Sequence, residues 1–167
     1  MIKSLVFTIL ACLVLISTQA QSSQNATMTV TLTSTVVIAL TDIAPALVFT
    51  SGTDYQNGVT HVAPAAGTVT ATGPFSVSVR STTAALTEIG GDEIAVNTIS
   101  VQATGSDLGT TSTVNLSTAD ATIIAGAPAG LAKIFGLSYA TSPGSSEFYG
   151  KTAGAYAGTL VYTATLD

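Results

Sequence analysis

Large apolar side chains recur at every second position through much of this chain. The last stretch, Tyr156 to Leu166, places Tyr156, Leu160, Tyr162 and Leu166 on one face of an extended strand, with Thr159, Thr163 and Thr165 on the other. That alternation is the signature of a strand with one buried side. A second long run lies near the start. Met28, Val30, Leu32, Val36, Ile38 and Leu40 share one parity, and Thr29, Thr31, Thr33 and Thr35 share the other. The run from Met28 to Leu40 is long against a typical strand of about five or six residues. It reads as one strand, or as two broken near Ser34 so that the chain crosses between sheets. Asp42 and Pro45 end it, because proline cannot donate to a ladder. These two long strands are expected to frame the fold.

Between them the pattern predicts shorter strands separated by turns. Ala46 to Phe49 is a short apolar piece. Ser51 to Gly58 is rich in turn residues, and its Asn57-Gly58 pair predicts a hairpin turn, with Val59 to Val62 as the return strand. Pro64 and Gly67 punctuate the chain, and Val69 to Ala71 is a weak strand. After Gly73-Pro74, Phe75, Val77 and Val79 alternate with Ser76, Ser78 and Arg80 as a half-buried strand. Gly90-Gly91 opens a turn. Ile94 and Val96 then share one parity, while Ile99 and Val101 share the other, so a bulge or a bend between sheets is expected at Asn97-Thr98. Gly105 to Gly109 is a loop. Val114 with Leu116, and Ile123-Ile124, are strand pieces. Leu131 to Tyr139 fits a strand better than a short helix, and Pro143 to Gly154 is a loop. No window shows convincing apolar spacing at helical period. Turn signals every eight to twelve residues or so predict an all-β fold, an antiparallel Ig-like β-sandwich of about seven to ten strands.

Met1 to Ala20 has the layout of a secretory signal peptide: Lys3, an apolar run from Leu5 to Ile16, then small and polar residues, with cleavage after Ala20. Ile9-Leu10-Ala11-Cys12 loosely matches a lipoprotein box, a second route that also leads out of the cytoplasm. The expected organisation is therefore a signal peptide over 1–20, a flexible polar lead over 21–26, and one sandwich domain over 27–167. Roughly 147 residues remain after cleavage, enough to bury a core without a staple. The remainder contains no cysteine, since Cys12 is the only one in the chain, so neither a disulfide nor a thiolate metal site is expected there. No membrane span is expected in the mature chain, because the apolar run lies in the leader and is short for one.

Charge narrows the partners. Beyond the leader, only Arg80, Lys133 and Lys151 are basic, against nine acidic residues. Three cations cannot form a phosphate-neutralising stripe, so nucleic acid is not an expected partner. Catalytic chemistry is also poorly provided for. His61 is the only histidine, and no G-x-S-x-G motif accompanies it. The carboxylates are scattered, and Asp92-Glu93 beside Gly90-Gly91 reads as a solvated turn. The oxygen-rich stretches Ser51 to Asn57 and Gly105 to Gly109 hold one acid each, unlike a calcium loop. No catalytic residue, metal or cofactor is expected. Aromatics comprise five tyrosines, five phenylalanines and no tryptophan. Tyr55, Phe148 and Tyr149 form the candidate ligand-contact loop, Phe148-Tyr149 most of all, because aromatic residues in a Gly/Ser-rich loop are costly to expose. Asn25-Ala26-Thr27 and Asn115-Leu116-Ser117 match the glycosylation sequon.

The closing pattern Gly154-Ala155-Tyr156-Ala157-Gly158-Thr159-Leu160-Val161-Tyr162, together with the Phe75-Ser76-Val77-Ser78-Val79 strand behind Gly73-Pro74, resembles the corresponding strands of bacterial surface β-sandwich families. These are the WxL-type cell-surface domains, a related group of surface domains, and the spore-coat-U and fimbrial groups. The resemblance covers about the last third of the chain and one earlier strand. No Trp-x-Leu is present, and Tyr162 stands where such a tryptophan would lie, so attachment of that type is not implied. The resemblance implies an exported, non-catalytic surface or fibre protein. Two functions are then expected to compete. One is a structural subunit that forms a homo-oligomer or polymer by donating its N-terminal strand, with Val30, Leu32, Val36, Ile38 and Leu40 filling a neighbour's groove. The alternative is a monomeric extracellular module that binds a glycan or a surface protein.

Overall fold

A computed structural model describes Gln24 and residues 27–167. The expected signal peptide over 1–20, Cys12, most of the expected polar lead and Asn25 of the first sequon lie outside the described residues. The compact unit runs from Leu32 to Asp167, and the residues before it form a separate unit. It is an all-β sandwich of antiparallel sheets.

The first sheet has the order β1-β2-β10-β6-β8, with β1 Val36–Leu40, β2 Thr60–Ala71, β10 Gly130–Thr141, β6 Ile99–Thr104 and β8 Thr113–Asn115. The second has the order β11-β3-β9-β7, with β11 Leu160–Leu166, β3 Phe75–Ser81, β9 Ala121–Ala127 and β7 Thr110–Thr111. A separate hairpin pairs β4 Ala85–Thr87 with β5 Glu93–Ala95, turning at Gly90-Gly91 as the sequence predicts. The inner faces interdigitate. Val69, Val101, Phe135 and Leu137 come from the first sheet, and Phe75, Val77, Ile123 and Ile124 from the second, all fully buried. Two adjacent isoleucines can both point inward because the β3–β9 register shifts beside them, and a bulge breaks the strict alternation. The parity switch at Asn97-Thr98 is a one-turn 3-10 helix, Val96–Thr98, that carries the chain from the hairpin into β6.

Three expectations are corrected. First, Pro64 and Gly67 do not end a strand, and β2 runs straight through them for 12 residues. Its register against β10 jumps between Phe135↔Gly67 and Leu137↔Ala63, so Pro64 sits in a bulge where its missing N–H leaves no ladder bond unmade. Gly67 is needed for close packing: a Cβ there would lie 2.7 Å from the Phe135 ring and 2.7 Å from the Ala39 carbonyl oxygen. Second, Asn57-Gly58 is not a hairpin turn. Gly52–Asn57 is a short helix, α1, and Gly58, at φ +76° and ψ 170°, ends it in an extended positive-φ conformation that is open essentially to glycine alone. Six residues are too few to show a helical period. Third, the final strand is shorter than its sequence pattern, and it lies at an edge of the second sheet. The inner positions belong to β2, β10 and β6 in the first sheet and to β3 and β9 in the second.

Candidate functional site

One long side of the sandwich is closed and the other is open. On the closed side, β7 and β8 are joined through Ser112, so the chain itself steps from one sheet to the other; the Ser112 N–H donates to the Ile123 carbonyl at 3.1 Å. On the open side, β1 and β11 are the edge strands of opposite sheets and lie beside each other. Val36, Ile38 and Leu40 of β1, and Leu160, Tyr162, Ala164 and Leu166 of β11, turn toward the core but stay only half-buried. Among the described residues, β11 pairs with β3 alone in the second sheet, and β1 pairs with β2 alone in the first. Each therefore presents an outer row of backbone groups. Neither strand contains a charged residue or a proline, the usual means by which an exposed edge is blunted.

A polar contact spans the core at this side. The Tyr139 and Tyr162 hydroxyls, from β10 and β11, are hydrogen-bonded at 2.7 Å. Burial raises the Tyr139 phenol above the ordinary tyrosine value and the Tyr162 phenol well above it, and the Asp42 charge adds to both. His61 is in β2, half-buried, with Nε2 at 2.9 Å from Asp42 Oδ2 and its ring centroid 6.1 Å from that of Tyr139. Tyr162→Phe leaves the Tyr139 hydroxyl buried without its partner, and is expected to cost about 1–3 kcal/mol. Replacing both by phenylalanine should cost less than the sum of the single changes, as measured by urea unfolding. Because the folded phenols are held neutral above their ordinary value of 10.0, the unfolded chain ionises first. Stability should fall as pH rises above 10 and be fully present below it.

The candidate donor residues are divided by the structure. Val36, Ile38 and Leu40 belong to their own domain's β1, in register with Ala71, Val69 and Gly67 of β2. Thr27–Thr35 forms no regular element. There the same apolar parity is exposed: Met28 is 85%, Val30 71% and Leu32 89% accessible.

The second candidate, the aromatic loop, is brought together at the loops around α1. Tyr55 lies on α1. Phe148 ends a 3-10 turn, Ser146–Phe148, and Tyr149 follows it. Phe49 joins them, a residue that sequence reading left as part of a nondescript apolar piece. Its ring centroid is 4.8 Å from those of both Tyr55 and Phe148, and Tyr55 is 5.8 Å from Tyr149. The Tyr149 hydroxyl and the Gly144 N–H both donate to the Tyr55 carbonyl, at 3.4 and 3.2 Å. Asp92, read as part of a solvated turn, accepts from the Thr152 N–H at 2.7 Å and ties down the far end of this loop.

Asp54 holds α1 in place. Its Oδ2 accepts from the Ser51 N–H at 2.8 Å and the Thr50 N–H at 2.7 Å, while the Ser51 hydroxyl accepts from the Asp54 N–H. This is a reciprocal capping box, and its backbone donors hold the carboxyl below its ordinary 3.8. A depressed acid favours the folded loop above pH 3.8, and that contribution is lost as pH falls through the folded value. Acid should therefore loosen the aromatic cluster, and Asp54→Asn should remove that step, as read from the Tyr55 and Tyr149 ring resonances by NMR.

The chain matches no protein-family model and no curated protein.

Proposed function

We propose that this is an exported, non-catalytic structural subunit that assembles with copies of itself, each chain laying its N-terminal segment along the open side of the next. The observation that supports it most is the open side itself: two neighbouring edges without charge or proline, flanking half-buried apolar residues. An unprotected edge of this kind is a template for another strand.

The segment that suits it is in the same chain. Met28, Val30 and Leu32 present three exposed apolar side chains at strand spacing. Thr27 to Ser34 would span about 26 Å at ~3.3 Å per residue, close to the length of the seven-residue edge of β11. Burying three such side chains yields about 5–9 kcal/mol before the cost of ordering the segment. Thr27 to Thr35 contains neither glycine nor proline, so it has no residue that favours folding back on itself. Low charge on the edges removes a source of repulsion between copies, and the leader-like N-terminus supports export.

Deleting Gln24 to Ser34 tests the reading. Electron microscopy of the secreted, truncated protein should show dispersed particles where the intact mature chain shows polymers. A peptide of residues 24–34 should bind the truncated protein and raise its melting temperature, as any ligand specific to the folded state does. Polymers of unchanged length after the deletion would sink the proposal.

A further inference from the structure

A different part of the molecule points to a second activity. Tyr55, Gln56, Phe148, Tyr149, Gly150 and Lys151, with Gly52, line an open depression of about 410 Å³. We propose that it binds neutral saccharides, with a pyranose ring stacked on Tyr149.

Three features support that ligand class. The first is a tyrosine that is exposed yet held. Tyr149 is 50% accessible, but its hydroxyl is bonded to the Tyr55 carbonyl, its N–H donates to the Ser146 carbonyl at 3.1 Å, and its ring lies against Tyr55. An aromatic face fixed by its surroundings and left open to water offers a stacking surface with little ordering cost on binding. The second is the polar rim. Gln56 is exposed and carries both an amide donor and an acceptor. Lys151 contributes an ammonium that takes part in neither ion pair among the described residues, which are His61–Asp42 and Arg80–Asp120. Hydroxyl-rich ligands need this combination of an apolar face and hydrogen-bonding edges. The third is charge. One lysine is the only cation lining the depression, on a chain of net charge −5, so an acidic polysaccharide would be repelled by the whole molecule while gaining one contact. A neutral sugar meets no such penalty. The site is also braced: α1 is fixed by the Ser51–Asp54 capping box, and the residue after Lys151 is bonded to Asp92.

This inference does not depend on strand donation, since the residues used lie on loops away from β1 and β11 in sequence and serve no step of assembly. The test is saturation-transfer NMR of the intact mature protein with neutral gluco-, manno- and N-acetylglucosamine oligosaccharides, beside an acidic uronate oligomer as a contrast. At least one neutral oligosaccharide should receive saturation, and the Tyr149 ring resonances should shift. Tyr149→Ala should weaken that binding at least about tenfold, the equivalent of 1.4 kcal/mol. Tyr149→Phe keeps the ring and should stay within about threefold. Gln56→Ala should weaken binding without changing the melting temperature, which shows that the fold is intact. No binding of any neutral sugar at millimolar concentration, binding of the uronate alone, or undiminished affinity in Tyr149→Ala would each overturn the proposal.

Discussion

Val30→Lys combined with Leu32→Lys is expected to abolish polymer formation while leaving the melting temperature within about 2 °C of the parent. Both side chains are highly accessible in the isolated chain, so charging them disturbs nothing in the folded domain. In an assembled pair the same positions would be covered against Leu160, Tyr162 and Leu166, which pack on the core and are only partly buried. An unpaired ammonium buried there costs several kcal/mol, enough to cancel the gain from burying the segment. Sedimentation velocity distinguishes the outcomes directly. The doubly charged chain keeps its own open side, so it should still accept a strand from an unmodified copy. Mixed with the parent, it should shorten polymers in proportion to its fraction. Polymers of parental length formed by the variant alone would show that the segment is not the donor.

Phe135→Ala should be the most damaging single change to the domain itself, costing about 3–5 kcal/mol, a large share of the 5–15 kcal/mol or so that holds a typical domain folded. Phe135 is fully buried in β10, and β2 gives up a side chain opposite it, at Gly67, to make room. Removing the ring leaves a void beside a backbone that is held by ladders on both sides, because β2 lies between β1 and β10, so the site cannot collapse to fill it. Cys12 is the one cysteine in the chain, so no second thiol exists with which to form a compensating disulfide. Urea unfolding followed by tyrosine fluorescence should show a lower midpoint with an unchanged slope. The converse change, Gly67→Ala, should destabilise by about 1–3 kcal/mol, because it forces the ring or the β1 backbone to move.

Much of this architecture was legible beforehand, for a local reason. Phe75, Val77 and Val79 are buried and their neighbours are not, because side chains on a pleated strand must alternate. The Gly90-Gly91 turn and the bend at Asn97-Thr98 were equally visible, since chain reversals and parity switches are properties of a few adjacent residues. Misreadings arose where a distant partner decides. Pro64 looks like a strand terminator until Gly136 is seen opposite the bulge that accommodates it. Ser51 to Gly58 looks like a turn because a helix of six residues cannot display its period. Tyr55, Phe148 and Tyr149 could be singled out as aromatic residues in loops, but Phe49, some 99 positions before Phe148, could be joined to them only by the fold.

The amino-acid order alone determined that the chain forms strands and which face of most strands is greasy. Only the tertiary structure decided that Leu160 to Leu166 is an edge and not a centre, that Val36 to Leu40 is its neighbour across an open side, and that four aromatic rings meet at one set of loops. Alternation is written into each strand by the geometry of its own backbone. Edge and centre are set by which segments, far apart in sequence, take the neighbouring ladder positions, and a strand carries no mark of that choice until its partners are in place.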